Sequence, residues 1–264
     1  MKEIIILAFM ASQIVSTISP NSSTTFRPPG TVEIVDNFFY DATELRNADW
    51  KEYIEDLKET YGVSSKNYLS ALPNTKVWKK SGFNMEPYEI NYFSHPSYEN
   101  YPVVGITHQQ AEDYCVWRTE AVKKMLTRMN HSAPHNFKYR LPTQTEWALV
   151  ADAGYDKKEK KLIAKKLDKE GANAKFYNMR FDNDLNGYNP AIASPVPIRS
   201  YLPNKHGIYN LNGNIAEMVQ EPGIAVGGSY RNFYKDIVPA NKTLTYDVPQ
   251  DWLGFRCVCE IIEE

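Results

Sequence analysis

Cysteine and histidine are scarce in this chain of 264 residues: there are three cysteines and five histidines, and no two cysteines stand in a CxxC pair. A structural zinc site built on cysteine pairs is therefore excluded. Charge of one sign is also lacking, since thirty Lys and Arg against thirty-two Asp and Glu leave a net charge of −2. Such a balance offers no electrostatic footprint for nucleic acid or an anionic membrane surface. The sequence has no glycine-rich phosphate loop and no nucleophile elbow with an identifiable partner, so neither chemistry is supported. Long apolar runs are missing as well; the longest is Ile4–Ala11, too short to cross a bilayer. No membrane span is expected in the mature chain.

What is present suits a globular protein. A hydrophobic content of 42% can fill a sizeable core in one large domain or two small ones. Eighteen Tyr, sixteen Pro and thirteen Gly imply many turns and irregular segments, compatible with a loop-rich α+β domain. The start, Met1-Lys2-Glu3 followed by the short apolar run and small polar residues up to Pro20, reads as a secretory signal peptide over residues 1–19, cut between Ser16 and Ser19. The competing reading is a buried N-terminal strand. No cysteine lies near the cut, so a lipid anchor is not supported. Residues 20–30 form a polar, proline-bearing tether, and 31–264 form the domain.

Along that domain, Thr31–Tyr40 alternates like a hairpin around Asp36-Asn37. Asn47 reads as the cap of a helix carrying Trp50, Tyr53, Ile54 and Leu57 up to Gly62. Residues 63–100 hold many aromatics without a sustained period; they read as irregular chain packed on the core, or as an aromatic-lined surface. Val103–Ile106 has the look of a buried strand, and Thr107-x-x-Gln110 of a capping box that opens a helix ending near Met129. Pro134 between His131 and His135 argues against a helical metal pair. Thr143-x-x-Glu146 is a second capping box, opening a helix stopped by Gly154, and the Lys- and Glu-rich run 157–169 reads as a solvated helix.

The stretch around which the chain is organised is Gly207–Val219. It sets Asn210, Asn212, Asn214 and Glu217 around a turn-forming Asn-Gly-Asn inside an apolar frame. Two readings stay open on these residues alone: a turn between strands, or oxygen donors gathered for a hard cation.

Five phrases in order resolve the fold. They are Pro102–Thr107 leading to Ala111…Tyr114-Cys115-x-Trp117; Arg140-Leu141-Pro142-Thr143-x-x-Glu146-Trp147; Gly207-Ile208-Tyr209-Asn210-x-x-Gly213-Asn214-x-x-Glu217; Gly227-Gly228-Ser229-Tyr230; and Gly254-Phe255-Arg256-Cys257. Together they resemble the sulfatase-modifying-factor domain, the domain of the formylglycine-generating enzyme. The resemblance implies a single loop-rich α+β domain, a variant of the C-type lectin fold.

That resemblance carries further expectations. It implies a disulfide between Cys115 and Cys257, leaving Cys259 as a buried thiol on the same strand face. It implies two structural calcium sites: one from Asn173, the carbonyl of Ala174, Asn186 and the carbonyl of Tyr188, weakened because Asn186 stands where the family has Asp. The other uses Asn210, the carbonyls of Gly213 and Ile215, and the Glu217 carboxylate. The family's enzyme oxidises a sulfatase cysteine with copper and oxygen, using two cysteines after Gly-Gly-Ser-Tyr. Here those positions are Asn232 and Ile237, which cannot supply the thiolates Cu(I) requires, so copper is not expected. The implied function is an exported, non-catalytic scaffold or binding module for a protein or glycan partner in the cell envelope, placed in the periplasm, at the surface or outside. The opening Pro28–Val32 phrase, the Tyr-Pro-Val-Val-Gly phrase and Trp117-Arg118-Thr119 resemble the branch with gliding-motility and type IX secretion lipoproteins. The alternative is an oxidase with a relocated redox residue, Cys259.

Overall fold

The computed structural model describes residues 26–81, 86–129, 136–152, 177–180, 194–238 and 241–262. In chain order the regular elements are β1 (Thr31–Val35), β2 (Phe38–Asp41), α1 (Asn47–Tyr61), α2 (Lys66–Ala71), α3 (Glu86–Asn91), α4 (His108–Arg128), β3 (Phe137–Arg140) and α5 (Gln144–Ala151). They continue with β4 (Ala216–Met218), β5 (Ile224–Val226), α6 (Tyr234–Ile237), β6 (Leu244–Thr245), β7 (Leu253–Gly254) and β8 (Val258–Ile261). Helices and short strands are joined by long irregular stretches, the expected α+β arrangement.

Two four-stranded sheets carry the fold, in the orders β1-β2-β8-β3 and β6-β5-β4-β7. The β1–β2 hairpin turns at Asp36-Asn37, where Asn37 takes a φ of 65° that asparagine tolerates. In the first sheet every pairing is antiparallel, and Cys259 on β8 faces Phe39 on one side and Tyr139 on the other. The chain's end is thus a central strand. In the second sheet β4 runs antiparallel to β5 but parallel to β7, with Glu217 beside Gly254.

The main core lies between α1, α4 and the first sheet. Trp50 is its centre: it stacks on Tyr114 at 5.5 Å, meets Phe255 edge-on at 6.1 Å, and donates its indole N–H to the Ala71 carbonyl. Both expected capping boxes form, Thr107 with Gln110 at the start of α4 and Thr143 with Glu146 at the start of α5. Each satisfies two backbone donors at a helix end, fixing where that helix begins. α5 ends at Ala151, and the remainder of the Asn130–Asn136 loop up to His135, Gly154 and the 157–169 run lie outside the described residues.

Several expectations are corrected. Arg46, not Asn47, caps α1, in a box with Asp49, while the buried Asn47 side chain donates to the carbonyls of Tyr92 and Tyr98 and so fastens the 92–98 segment to the helix. Val103–Ile106 is buried but is no strand. Gly105 takes a φ of 75° and its carbonyl accepts from Asn74, which turns the chain away after a single bridge between Arg46 and Pro102. The 63–100 stretch is not wholly irregular: it contains α2, α3 and two 3-10 turns, Thr75–Ser81 and Pro96–Tyr98. Its aromatics pack on one another, Trp78 on Tyr92 at 4.7 Å and Tyr98 on Tyr101 at 5.1 Å. Finally, Phe26–Gly30 is not a free tether, since Phe26 is buried against Phe137 at 5.0 Å and the Pro29 carbonyl accepts from Arg118. Residues 1–25, which hold the expected signal peptide and the rest of the tether, lie outside the described residues.

Candidate functional site

Four backbone choices build the Gly207–Glu217 turn. Gly207, Asn210, Gly213 and Asn214 all have positive φ, at 82°, 53°, 83° and 63°. Asparagine and glycine are the residues that enter this region at least cost. Gly213 has a second reason to lack a side chain: a Cβ there would lie 2.6 Å from Met179 Cγ and 2.9 Å from the Asn178 carbonyl. The tight approach lets the Asn214 amide N–H donate to Asn178 and its side chain reach inward.

Inward, the two asparagines meet an acid from the other end of the chain. Asn214 Nδ2 donates to Glu44 Oε1 at 2.9 Å, and Asn210 Nδ2 donates to Glu44 Oε2 at 3.2 Å. The same side chains also hold the 196–198 segment, Asn214 through both the N–H and the carbonyl of Val196 and Asn210 through the carbonyl of Ile198. Asn210 Oδ1 is left buried without a hydrogen-bond partner among the described residues. Glu44 itself is 1% exposed. Burial pushes its carboxyl up to about 8, with Arg256 opposing and Glu217 adding to the rise.

Glu217 belongs to a buried ion pair. Arg256 donates from Nε and Nη2 to the two Glu217 oxygens, both residues are 0% exposed, and the guanidinium also donates to the carbonyls of Asp41 and Tyr209. Burial raises the Glu217 carboxyl despite Arg256 beside it. A second buried pair adjoins it in space: Arg118 grips Asp41 with two bonds of 2.8 and 2.9 Å, and Asp41 also accepts from the Cys257 amide. Neither Glu44 nor these arginines was given a role by the sequence. The signals were an acid just ahead of a helix and an arginine locked between Phe255 and Cys257 in an apolar run.

The residues expected to form the second calcium loop, Asn210, Gly213, Ile215 and Glu217, lie in one stretch of chain, and the carboxylate among them is already matched by Arg256. A carboxylate has about four lone-pair sites. Arg256 takes one on each oxygen, and Asn210 Oδ1 has no partner among the described residues. The donor atoms are hard oxygens of the kind calcium prefers, but they fall short in uncompensated charge, the property that sets affinity. Asn173, Ala174, Asn186 and Tyr188, the first loop, lie outside the described residues. Among the described residues no three His, Cys, Asp or Glu side chains cluster to hold a metal.

The copper positions are filled by other chemistry. Asn232 Oδ1 accepts from the amide and the hydroxyl of Ser229, at 2.9 and 2.8 Å, closing a tight turn after Gly227-Gly228. Ile237 is buried, and its Cγ2 would lie 2.7 Å from a Cβ on Gly228. All three cysteines sit elsewhere, buried between α4 and β8. Cys115 and Cys257 place their sulfurs 3.2 Å apart as thiols. Cys259 shares their core cluster while Val258 faces another, as the period-two geometry of a strand requires. Burial pushes the Cys259 thiol well above its usual range, so it is no thiolate at neutral pH. The residues present do not fit copper.

Comparison with known proteins agrees with this architecture. A family model described as the sulfatase-modifying factor enzyme 1-like domain matches residues 10–261. The chain is 23% identical over 271 residues to the formylglycine-generating enzyme of Mus musculus, covering 86% of this chain and 67% of that protein. It is 24% identical over 191 residues to the serine/threonine-protein kinase pkn1 of Chlamydia pneumoniae, covering 71% of this chain and 23% of the kinase, so it spans less than a quarter of that relative. Among solved structures, the crystal structure of CarF aligns with a TM-score of 0.50 at 17% identity, over 86% of this chain and 87% of that one. At that identity the likeness is one of fold.

Proposed function

The chain belongs to the sulfatase-modifying factor enzyme 1-like domain family, and we propose that it is a non-catalytic member, an exported scaffold or binding module of the bacterial cell envelope. The observation that carries this reading is the pair Asn232 and Ile237. An amide oxygen turned onto Ser229 and a buried alkyl group stand where the oxidase needs two thiolates, and neither binds Cu(I). The remaining thiols offer no substitute, because Cys259 is enclosed on both sides in a central strand. Calcium, when bound, would add positive charge and rigidity at the second loop; Asn210 Oδ1, the carbonyls of Gly213 and Ile215, and the free lone pairs of Glu217 would hold it. The resemblance to gliding-motility and type IX secretion lipoproteins favours a protein or glycan partner in the envelope. No helix among the described residues is long and apolar enough to cross a membrane.

The direct test is oxygen uptake by copper-loaded protein given a sulfatase-type cysteine peptide, with Cys259→Ser alongside. The expected result is no peptide-dependent uptake. Uptake would overturn the reading, and its loss in Cys259→Ser would place the redox residue on β8.

A further inference from the structure

Glu44 and Glu217 are two fully buried carboxyls that share one buried guanidinium, Arg256. Arg256 gives both of its paired bonds to Glu217. Glu44 receives only neutral amide N–H groups, from Asn214 and Asn210. Two acids and one base leave one carboxyl without a counter-charge, and a buried charge in that state is costly.

Glu44, although 1% exposed, borders a cleft of about 320 Å³ between the Asp41–Arg46 segment, α1, α4 and residues 197–200. Of the other acids in that wall, Asp41 is matched by Arg118 and Asp49 by Arg46. Glu52, on α1, has no ion pair among the described residues and lines the same cleft. The third arginine of the wall, Arg199, is exposed and lies over the Tyr209 ring at 5.6 Å. Leu45 and Val122 add apolar wall. The cleft wall thus presents an unmatched acid, a second acid on α1, and hydrocarbon, around a volume suited to several heavy atoms rather than a bare ion.

We propose that this cleft binds a primary ammonium or guanidinium group carried on a short hydrocarbon stem, with Glu44 and Glu52 as its counter-charges, each carboxyl releasing to solvent any proton it holds as the cation enters. Ammonium and guanidinium offer several N–H donors at once, and charge-assisted bonds to a desolvated carboxylate are among the strong ones. The stem lies against Leu45 and Val122. The group comes either from a free small amine or from a Lys or Arg side chain of a partner protein. The site stands independently of whether the chain turns over oxygen.

The test is titration calorimetry on the full chain with n-butylammonium, methylguanidinium and the blocked peptides acetyl-Gly-Lys-Gly-amide and acetyl-Gly-Arg-Gly-amide, against n-butanol and calcium chloride. Saturable binding of the cations, with none of the alcohol, is the expected result. Tighter binding of the peptides than of the free amines assigns the cleft to a protein partner, and the reverse assigns it to small amines. Glu52→Gln is expected to weaken binding about tenfold, the loss of one charge-assisted bond. Glu44→Gln, which keeps the shape, is expected to abolish it; if that variant does not fold, Glu52→Gln decides. Absence of saturable cation binding, equal binding of the alcohol, an unchanged affinity in Glu52→Gln, or calcium binding weakened by Glu52→Gln without any amine binding would each overturn the proposal.

Discussion

At the scale of single residues, the chain's chemistry lies in acids whose neighbours differ. Glu52 is pushed up to about 7, by burial first and by Asp49 second, with Arg46 opposing. Its folded value lies above the ordinary 4.5, so between these values the folded protein holds a proton that the unfolded chain has released. That contribution to stability is fully present below pH 4.5 and is lost as pH rises through about 7. The melting temperature is expected to fall across this window, and Glu52→Gln to make the fall shallower. Glu44, pushed up to about 8, adds to the same trend and remains in the variant, so the slope is reduced rather than abolished. An unchanged slope in Glu52→Gln would refute the assignment. Little of this was legible in the sequence, where Glu44 and Glu52 look like any other acids near a helix start; burial comes first for both, and the groups around Glu44, namely Arg256, Glu217 and Asn214, come from far along the chain.

At the scale of elements, the sequence spoke most clearly where local chemistry closes on itself. The Thr107 and Thr143 boxes, the Asp36-Asn37 hairpin and the end of α1 at Gly62 depend on side chains within a few residues of each other, and all formed as read. The Val103–Ile106 strand failed because burial alone does not make a strand; its partner groups come from Leu45, Asn74 and Gln250, far away in sequence. We propose that Cys115 and Cys257, with sulfurs 3.2 Å apart, are bonded in the oxidised protein. In the chain-entropy model so long a loop contributes about 5 kcal/mol. Non-reducing digestion of protein from an oxidising compartment is expected to yield Cys115 and Cys257 peptides linked and two hydrogens lighter, with Cys259 as a thiol. Alkylation of all three cysteines without reductant would contradict this.

At the scale of the molecule, the question is what clamps the two ends of the domain together. Glu217–Arg256 joins β4 to the segment before β8, and Asn210 and Asn214 join the turn to Glu44 ahead of α1. Calcium at the second loop would reinforce that clamp. Chelator is expected to lower the melting temperature by a modest amount, because the carboxylate charge is shared with Arg256. Glu217→Gln lowers stability on its own by breaking a buried pair, so the calcium-specific readout is the difference made by chelator, which the variant should erase. A melting curve indifferent to chelator in the parent protein would remove calcium from the fold. By itself the sequence determined the family, the α+β class and the starts of α4 and α5, because these rest on residue identity and short spacing. Only the tertiary structure decided that Glu217 is matched by Arg256, that Glu44 is unmatched beside a cleft, and that Phe26 is core rather than tether. Those outcomes depend on which distant groups share a low-dielectric interior, and charge matching there is a property of contacts that no local pattern encodes.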